Sequence, residues 1–391
     1  MTDPIVMALT LIMVGQILLS VPLLLVRVKK SIVCLPLALF LLASGLLAME
    51  PIVSFQFPQW YQLYSALALP SLFILCPSLW FYVEGITSES PWKLNSKQGR
   101  HFILLWPALV ISVLILLLPK DLHTAIFIED ADIADPFAIT LLIGLLLIIL
   151  LWLAQCVYTM FLVIRRLSAY RKRLKNVFSN HEGRELNWMN WFLFVAISTW
   201  LFSIVTLFYS SLFDDLLFTI RTESLLSLLL IWSMTHFGLQ QKPGFLEGNN
   251  VGENIMPQHD DEESKVLYSP TKYQRSALDT EQSNRIAKKI NDIMRKDKLY
   301  LDSSLSLQKL SSTIAISPNY ISQTLNETLS TNFFDFINKW RIEAAKPKIL
   351  ANQDTVLNIA LEVGFNARSS FYKAFKQETG KTPSEFRKHT I

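Results

Sequence analysis

Residues 137–175 read FAITLLIGLLLIILLWLAQCVYTMFLVIRRLSAYRKRLK. The first 28 of these, Phe137 to Ile164, hold no charged side chain, and the next 11 hold six basic ones. A span needs about 20 mostly apolar residues to cross the hydrocarbon core of a bilayer, and cationic residues collect on its cytoplasmic side. This stretch therefore reads as a membrane span that ends in the cytoplasm. Working outward, six more segments read the same way: Ile5–Val26, Ser31–Met49, Leu63–Val83, Phe102–Leu118, Trp191–Leu212 and Thr222–Leu239.

The loops between them test the count. The first, third and fifth carry thirteen Lys and Arg, among them Arg27, Lys29, Lys30, Lys93, Lys97 and Arg100, whereas the others carry only Lys120 and Arg221. That alternation predicts seven spans, an outside amino terminus and a cytoplasmic chain after Leu239. Asp3 precedes the first run and Arg27, Lys29 and Lys30 follow it, so that run reads as a retained span rather than a cleaved signal peptide. Trp60, Trp80, Trp188 and Trp191 sit at expected span ends, where an amphipathic ring suits the interface. Pro70 and Pro77 remove backbone donors inside the third span and predict a kink there.

Composition divides the chain the same way. It has 391 residues, 51% hydrophobic and 17% charged, with mean hydropathy +0.33; soluble proteins usually carry about 25% charged residues. Net charge is +1 over residues 1–240, −3 over 241–280 and +6 over 281–391. A single soluble domain and a disordered chain are both excluded. The expected organisation is a membrane domain at 1–240, a flexible acidic linker at 241–279 and a basic soluble domain at 280–391. The linker holds Pro243, Gly244, Gly248, Gly252, Pro257 and the acidic run Asp260–Glu263. It lacks a sustained apolar period, and its reach is about 35 Å.

The membrane half offers little chemistry. No expected span contains the lysine a retinal Schiff base needs, and Glu50, Glu84, Arg221 and Glu223 lie near span ends rather than mid-membrane. Transport, which usually places carboxylates or histidines near mid-membrane, is therefore weakly supported. Asp121, His123, Glu129, Asp130, Asp132 and Asp135 cluster in one outside loop. Such a cluster suits a divalent cation or a pH response, although outside loops exclude Lys and Arg and look acidic by default. The six histidines are scattered without ligand spacing, and Cys34, Cys76 and Cys156 read as small hydrophobes. No metal, cofactor or catalytic constellation is expected.

After Thr280 the pattern changes to short amphipathic helices. Ile286, Ile290 and Ile293 mark the first. A helix from Leu307, a turn at Ala315-Ile316-Ser317 and a helix opened by Ser317-Pro318 follow; serine as cap and proline at the first turn make a sound start. The second of these helices presents Asn319, Ser322, Gln323 and Asn326 and buries Ile321 and Leu325. A longer helix covers Phe333 to Leu350. The unit then recurs: a helix from Val356, a turn at Gly364-Phe365, and a helix from Ala367 to Lys376 burying Phe371 and Phe375. The fold class expected is all-α: seven transmembrane helices, then a cytoplasmic domain with two helix–turn–helix units. Two such units on a basic domain predict two helices entering successive major grooves of double-stranded DNA.

The residues Ala360-x3-Gly364-Phe365, Ser370-Phe371-x3-Phe375-Lys376 and Thr379-Gly380-x2-Pro383-x2-Phe386-Arg387 resemble the signature of AraC/XylS-type transcription regulators. Leu307-x2-Leu310, Ser317-Pro318-x-Tyr320 and Arg341-Ile342-Glu343-x-Ala345-Lys346 fit its first half. The likeness covers about 110 residues, and a seven-span half stands in place of the family's usual sugar-binding barrel. The resemblance implies base-reading positions at Asn319, Ser322, Gln323, Arg368, Ser369, Ser370 and Lys373, and phosphate contacts at Lys339, Lys346, Lys376 and Arg387. It also implies a homodimer, RNA polymerase as a partner, and a bacterial inner-membrane location. Ser330 departs from the family's usual glycine, Ser311 from its alanine, and Pro347 interrupts the long helix.

The function expected is a membrane-tethered one-component regulator, responding through its bilayer-embedded half to an unknown signal ligand. A transporter or other membrane protein with a regulatory DNA- or protein-binding tail is the alternative.

Overall fold

The computed structural model describes residues 3–127, 135–180, 184–208, 216–241, 279–352 and 354–388. They form two compact units, one comprising residues 1–167 and 186–250, the other 168–185 and 251–391. The expected linker lies outside the described residues apart from its ends, and so do Glu129, Asp130 and Asp132.

The regular elements among the described residues of the first unit are all helices. Helix α1 (Pro4–Val28) opens with Asp3 accepting from the Ile5 N–H at 3.1 Å. It is followed by α2 (Cys34–Ala48), α3 (Glu50–Gln56), α4 (Tyr61–Ile86), α5 (Leu105–Leu116) and α6 (Lys120–Phe127). Helix α4 runs unbroken through Pro70 and Pro77. Then come the 42-residue α7 (Pro136–Val177), α8 (Asn187–Phe208) and α9 (Leu216–Gln240). Helix α2 packs on α1 and α4, α4 on α5, and α9 on α1 and α8.

Among the described residues, five stretches are long and apolar enough to cross a membrane: Pro4–Val28, Cys34–Gln56, Pro58–Ile86, Gln98–Leu116 and Pro136–Val177. The other two expected spans fall on α8 and α9, parts of whose side chains lie outside the described residues. Leu19, Trp106 and Leu147 point outward from α1, α5 and α7. Helices apolar on both inner and outer faces are what a bilayer or a large core requires.

Side chains take up several backbone carbonyls inside this unit. Gln62 donates to the carbonyls of Ile115 at 3.1 Å and Leu118 at 2.8 Å, and Trp152 donates to Leu72 at 2.9 Å. Of the described residues in the loop expected outside, His123 is buried, bonded to the Ser65 hydroxyl and stacked on Phe127; Asp135 caps α7 through the N–H groups of Phe137 and Ala138. Both have structural roles. The Sγ atoms of Cys76 and Cys156 lie 3.2 Å apart, a meeting of α4 and α7 that their sequence separation of 80 did not announce.

The second unit has two lobes joined by one helix. In the first lobe are α10 (Thr280–Lys296), α11 (Leu307–Ile314) and α12 (Pro318–Gln323), whose last turn widens over Thr324–Thr328. Helix α13 (Phe333–Ala351) joins them to α14 (Val356–Glu362), α15 (Arg368–Thr379) and α16 (Pro383–Lys388). The amino half of α13 closes the first core with Phe333, Phe336 and Ile337, which pack with Ile290, Leu310, Ile321 and Leu325. Its carboxyl half closes the second core with Ile342, Ala345 and Ile349, against Ile359, Phe365, Phe371 and Phe375. The helix continues through Pro347, which lies exposed.

Ser330, the departure from glycine, has φ 49°, a left-handed conformation that costs an L-residue about 1 kcal/mol or more. Its side chain is exposed. Ser330→Gly is expected to stabilise the unit by about 1 kcal/mol, raising its urea midpoint without altering the slope; an unchanged midpoint would contradict that strain.

Candidate nucleic-acid interface

Helix α11 starts with the Ser306 hydroxyl accepting from the Lys309 N–H at 3.2 Å, and α14 starts with Thr355 accepting from Asn358 at 3.2 Å. Each helix then ends in a residue with positive φ, Ala315 at 52° and Gly364 at 96°. In each, the next N–H bonds back to a carbonyl five residues earlier, Ile316 to Ser311 and Phe365 to Ala360. Equivalent hydrogen bonds thus shape both turns. Ser317 caps α12 through the Tyr320 N–H, whereas Ala367 before α15 supplies no side-chain cap.

The turns set the second helices with their apolar sides in the cores. Ile321, Leu325, Phe371 and Phe375 are fully or almost fully buried, as their spacing predicted. On α12, Asn319, Ser322 and Gln323 are half-buried. Gln323 Nε2 donates to Glu327 Oε2 at 2.9 Å, so it must release that carboxylate before it can reach a base edge. Asn326 donates back to the Ser322 carbonyl at 2.8 Å.

On α15, Arg368, Ser369 and Lys373 are exposed along the outer side. Arg368 donates to the Tyr372 hydroxyl at 2.9 Å, and its guanidinium carbon lies 4.9 Å from the ring centroid. Burial pushes the Tyr372 phenol up, but hydrogen bonds with Arg368 and Ser384 and the charges of Arg368 and Arg387 outweigh it and leave the phenol below its ordinary value. This aromatic support limits the rotamers of Arg368, so that less entropy is lost when its planar fork engages a pair of acceptors. Ser370 bonds back to the Ala367 carbonyl at 3.0 Å and serves the helix start.

The four expected phosphate contacts differ in their surroundings. Lys339 and Lys376 are exposed. Lys346 pairs with Glu343 at 2.6 Å. Arg387 is half-buried and donates from Nε to the Ile349 carbonyl at 3.2 Å, fastening α16 to the end of α13.

One arrangement has no local sign in the sequence. Arg341 on α13 is 0% exposed and its guanidinium is spread over four acceptors. Nε donates to the Tyr300 carbonyl at 2.8 Å and Nη2 to the Asp302 carbonyl at 2.9 Å. Nη1 donates to the Ser179 carbonyl at 3.2 Å and Nη2 to the Ser179 hydroxyl at 3.1 Å. Burial pulls the Arg341 pKa down to about 10, partly offset by the charge of Asp302.

Residues 310–389 match the family described as "Helix-turn-helix domain". An uncharacterised HTH-type transcriptional regulator of Staphylococcus aureus (strain COL) is 34% identical over 99 residues, covering 25% of this chain and 13% of that protein. A protein of Streptomyces lividans described as an AraC-like transcription regulator is 29% identical over 86 residues, 22% of this chain and 28% of that protein. The chain therefore spans a small part of the curated relatives it matches. Among solved structures, the C-terminal domain of AraT, a response regulator from Geobacillus stearothermophilus, is 24% identical, covering 29% of this chain and 88% of that one with a TM-score of 0.25. The carboxy-terminal part of the chain, residues 310–389, is thus similar to a helix-turn-helix domain.

Proposed function

We propose that this chain is a membrane-tethered transcription regulator that reads specific double-stranded DNA through two helix–turn–helix units. The observation that carries the reading is the helix-turn-helix match over 310–389 together with the two equivalent turns at Ala315 and Gly364. The +6 charge of residues 281–391 gives the electrostatic footprint that nucleic-acid binding requires. Membrane tethering is supported by the five long apolar helices and the thirteen-to-two bias of cationic loop residues. On this reading the amino terminus lies outside a bacterial inner membrane and the DNA-binding domain in the cytoplasm. The membrane half senses a signal, and the regulator acts as a homodimer with RNA polymerase as its partner.

Arg368, Ser369 and Lys373 read bases from α15, while Asn319, Ser322 and Gln323 read them from α12. A bidentate arginine–guanine pair contributes about 1–3 kcal/mol of discrimination. Arg368→Ala is expected to relax the preference at one base pair by about that amount, with membrane insertion intact. Lys376→Ala is expected to weaken binding evenly across sequences and to lower the salt slope by about 1. The test is to crosslink cells, wash the membrane fraction, immunoprecipitate the chain and sequence the recovered DNA. A few sharp sites lost in Arg368→Ala support the reading; no enriched DNA under several growth conditions overturns it.

A further inference from the structure

Within the second unit, the carboxyl end of α7 and the residues after it form a strap on the first lobe. Residues 168–185 belong to this unit by their packing, although residues 186–250, which belong to the first unit, separate them from the rest of it. The strap is folded on itself: Tyr170 donates to the Arg184 carbonyl at 2.9 Å, Arg171 to the Glu185 carbonyl at 3.0 Å, and the Arg184 guanidinium lies over the Phe178 ring at 4.2 Å. Phe178 makes an antiparallel bridge with Ser306, the cap of α11. The Ser179 N–H donates to the Leu305 carbonyl at 3.2 Å, and its hydroxyl donates to the same oxygen at 2.5 Å. Ser179 is 1% exposed.

Arg341, which holds Ser179, stands at the joint between the lobes. It lies between the two sets of core residues on α13, and its guanidinium carbon is 5.5 Å from the ring centroid of Phe365 in the second turn. A Cβ built on Gly364 would sit 3.0 Å from its Nε. One planar, rigid donor fork thus bonds the first lobe at Tyr300 and Asp302 and the strap at Ser179, and it faces the Phe365 ring of the second lobe. A buried guanidinium must satisfy its donors, and two of its four hydrogen bonds end on Ser179.

We propose that Ser179 is a positioning residue for DNA recognition: by completing the hydrogen-bond set of Arg341 it fixes the orientation of the two lobes, and so the spacing between the two DNA half-sites that the domain accepts. This inference rests on the DNA-binding reading above. Without the Ser179 hydroxyl Arg341 keeps only the backbone carbonyl of the strap as an acceptor, and the joint between the lobes loosens.

The test uses the full chain in lipid nanodiscs. Wild type selects duplexes from a randomised library, and affinities are then measured for the enriched duplex and for versions with one base pair added or removed between its halves. Ser179→Ala is expected to reduce the preference for the native spacing about tenfold, the scale of a hydrogen bond to a charged group. Ser179→Thr, which keeps the hydroxyl, is expected to restore it. A merely structural role would lower the amount of active protein and leave the ratio between spacings unchanged. If Ser179→Ala fails to fold, Ser179→Cys, with its weaker hydrogen-bonding group, carries the test and is expected to give an intermediate ratio. An unchanged ratio in the folded variant overturns the inference alone. Failure of wild type to enrich any duplex overturns the DNA-binding reading, and this inference with it.

Discussion

Gly364→Ala is expected to unfold the second lobe and abolish DNA binding. The φ of 96° at this position is one that L side chains rarely adopt. Space is the second obstacle, because an added Cβ would stand 2.7 Å from the Tyr300 carbonyl oxygen and 2.8 Å from that of Leu301. Both are backbone atoms, and the Tyr300 oxygen is already committed to Arg341. Neither can swing away as a side-chain tip can. Backbone strain and overpacking each cost about 1–3 kcal/mol, so the sum reaches about 3 kcal/mol or more, a large share of a domain's total stability. Thermal unfolding of the purified chain, followed by protease cleavage within 279–388, should show this unit melting many degrees lower. A midpoint within a degree of wild type would refute the close approach of the second turn to residues 300–301.

Replacing Arg341 by methionine is the second large effect. The substitution removes a buried charge, whose desolvation is evident in the pKa lowered to about 10. That gain is smaller than the loss. The carbonyls of Tyr300, Asp302 and Ser179 lose their donor together, and each unsatisfied buried group costs about 1–3 kcal/mol. With partial relief from entering water, Arg341→Met should destabilise the unit by about 3 kcal/mol. Arg341→Lys keeps the charge but not the planar fork, and should fall between the two. Urea unfolding followed by protease cleavage within 279–388 would measure both, since Arg341 lies in the middle of that stretch beside Trp340, which stacks on Tyr300 at 6.0 Å. Equal midpoints for wild type and Arg341→Met would show that those carbonyls have other donors.

Much of the second unit was legible locally. Ser317 caps its helix as its place before Pro318 implied, and Ser306 and Thr355, not read as caps, do the same for helices whose starts were read, each reaching an N–H three residues on. Phe371 and Phe375 are buried because residues four apart share one side of a helix. The glycine to serine departure at residue 330 marked a position whose left-handed backbone the structure then displayed. The roles of the candidate base-reading residues were less legible. Nothing in the spacing showed that Gln323 is engaged by Glu327, that Ser370 is turned to its own helix start, or that Arg387 fastens α16 to Ile349. Those partners are chosen by rotamer and by neighbouring helices.

By itself the sequence determined the local, periodic properties: apolar runs about a bilayer long, cationic residues in alternate loops, helices with one apolar side, and the places of the turns between them. These follow from a backbone with few allowed conformations and from the low solubility of apolar surface in water. Only the tertiary structure decided which distant groups meet, such as Cys76 with Cys156 and Ser179 with Arg341. The acceptors of Arg341 are mostly backbone carbonyls. Every residue carries one, so no side-chain pattern records which of them the fold will bring to a guanidinium.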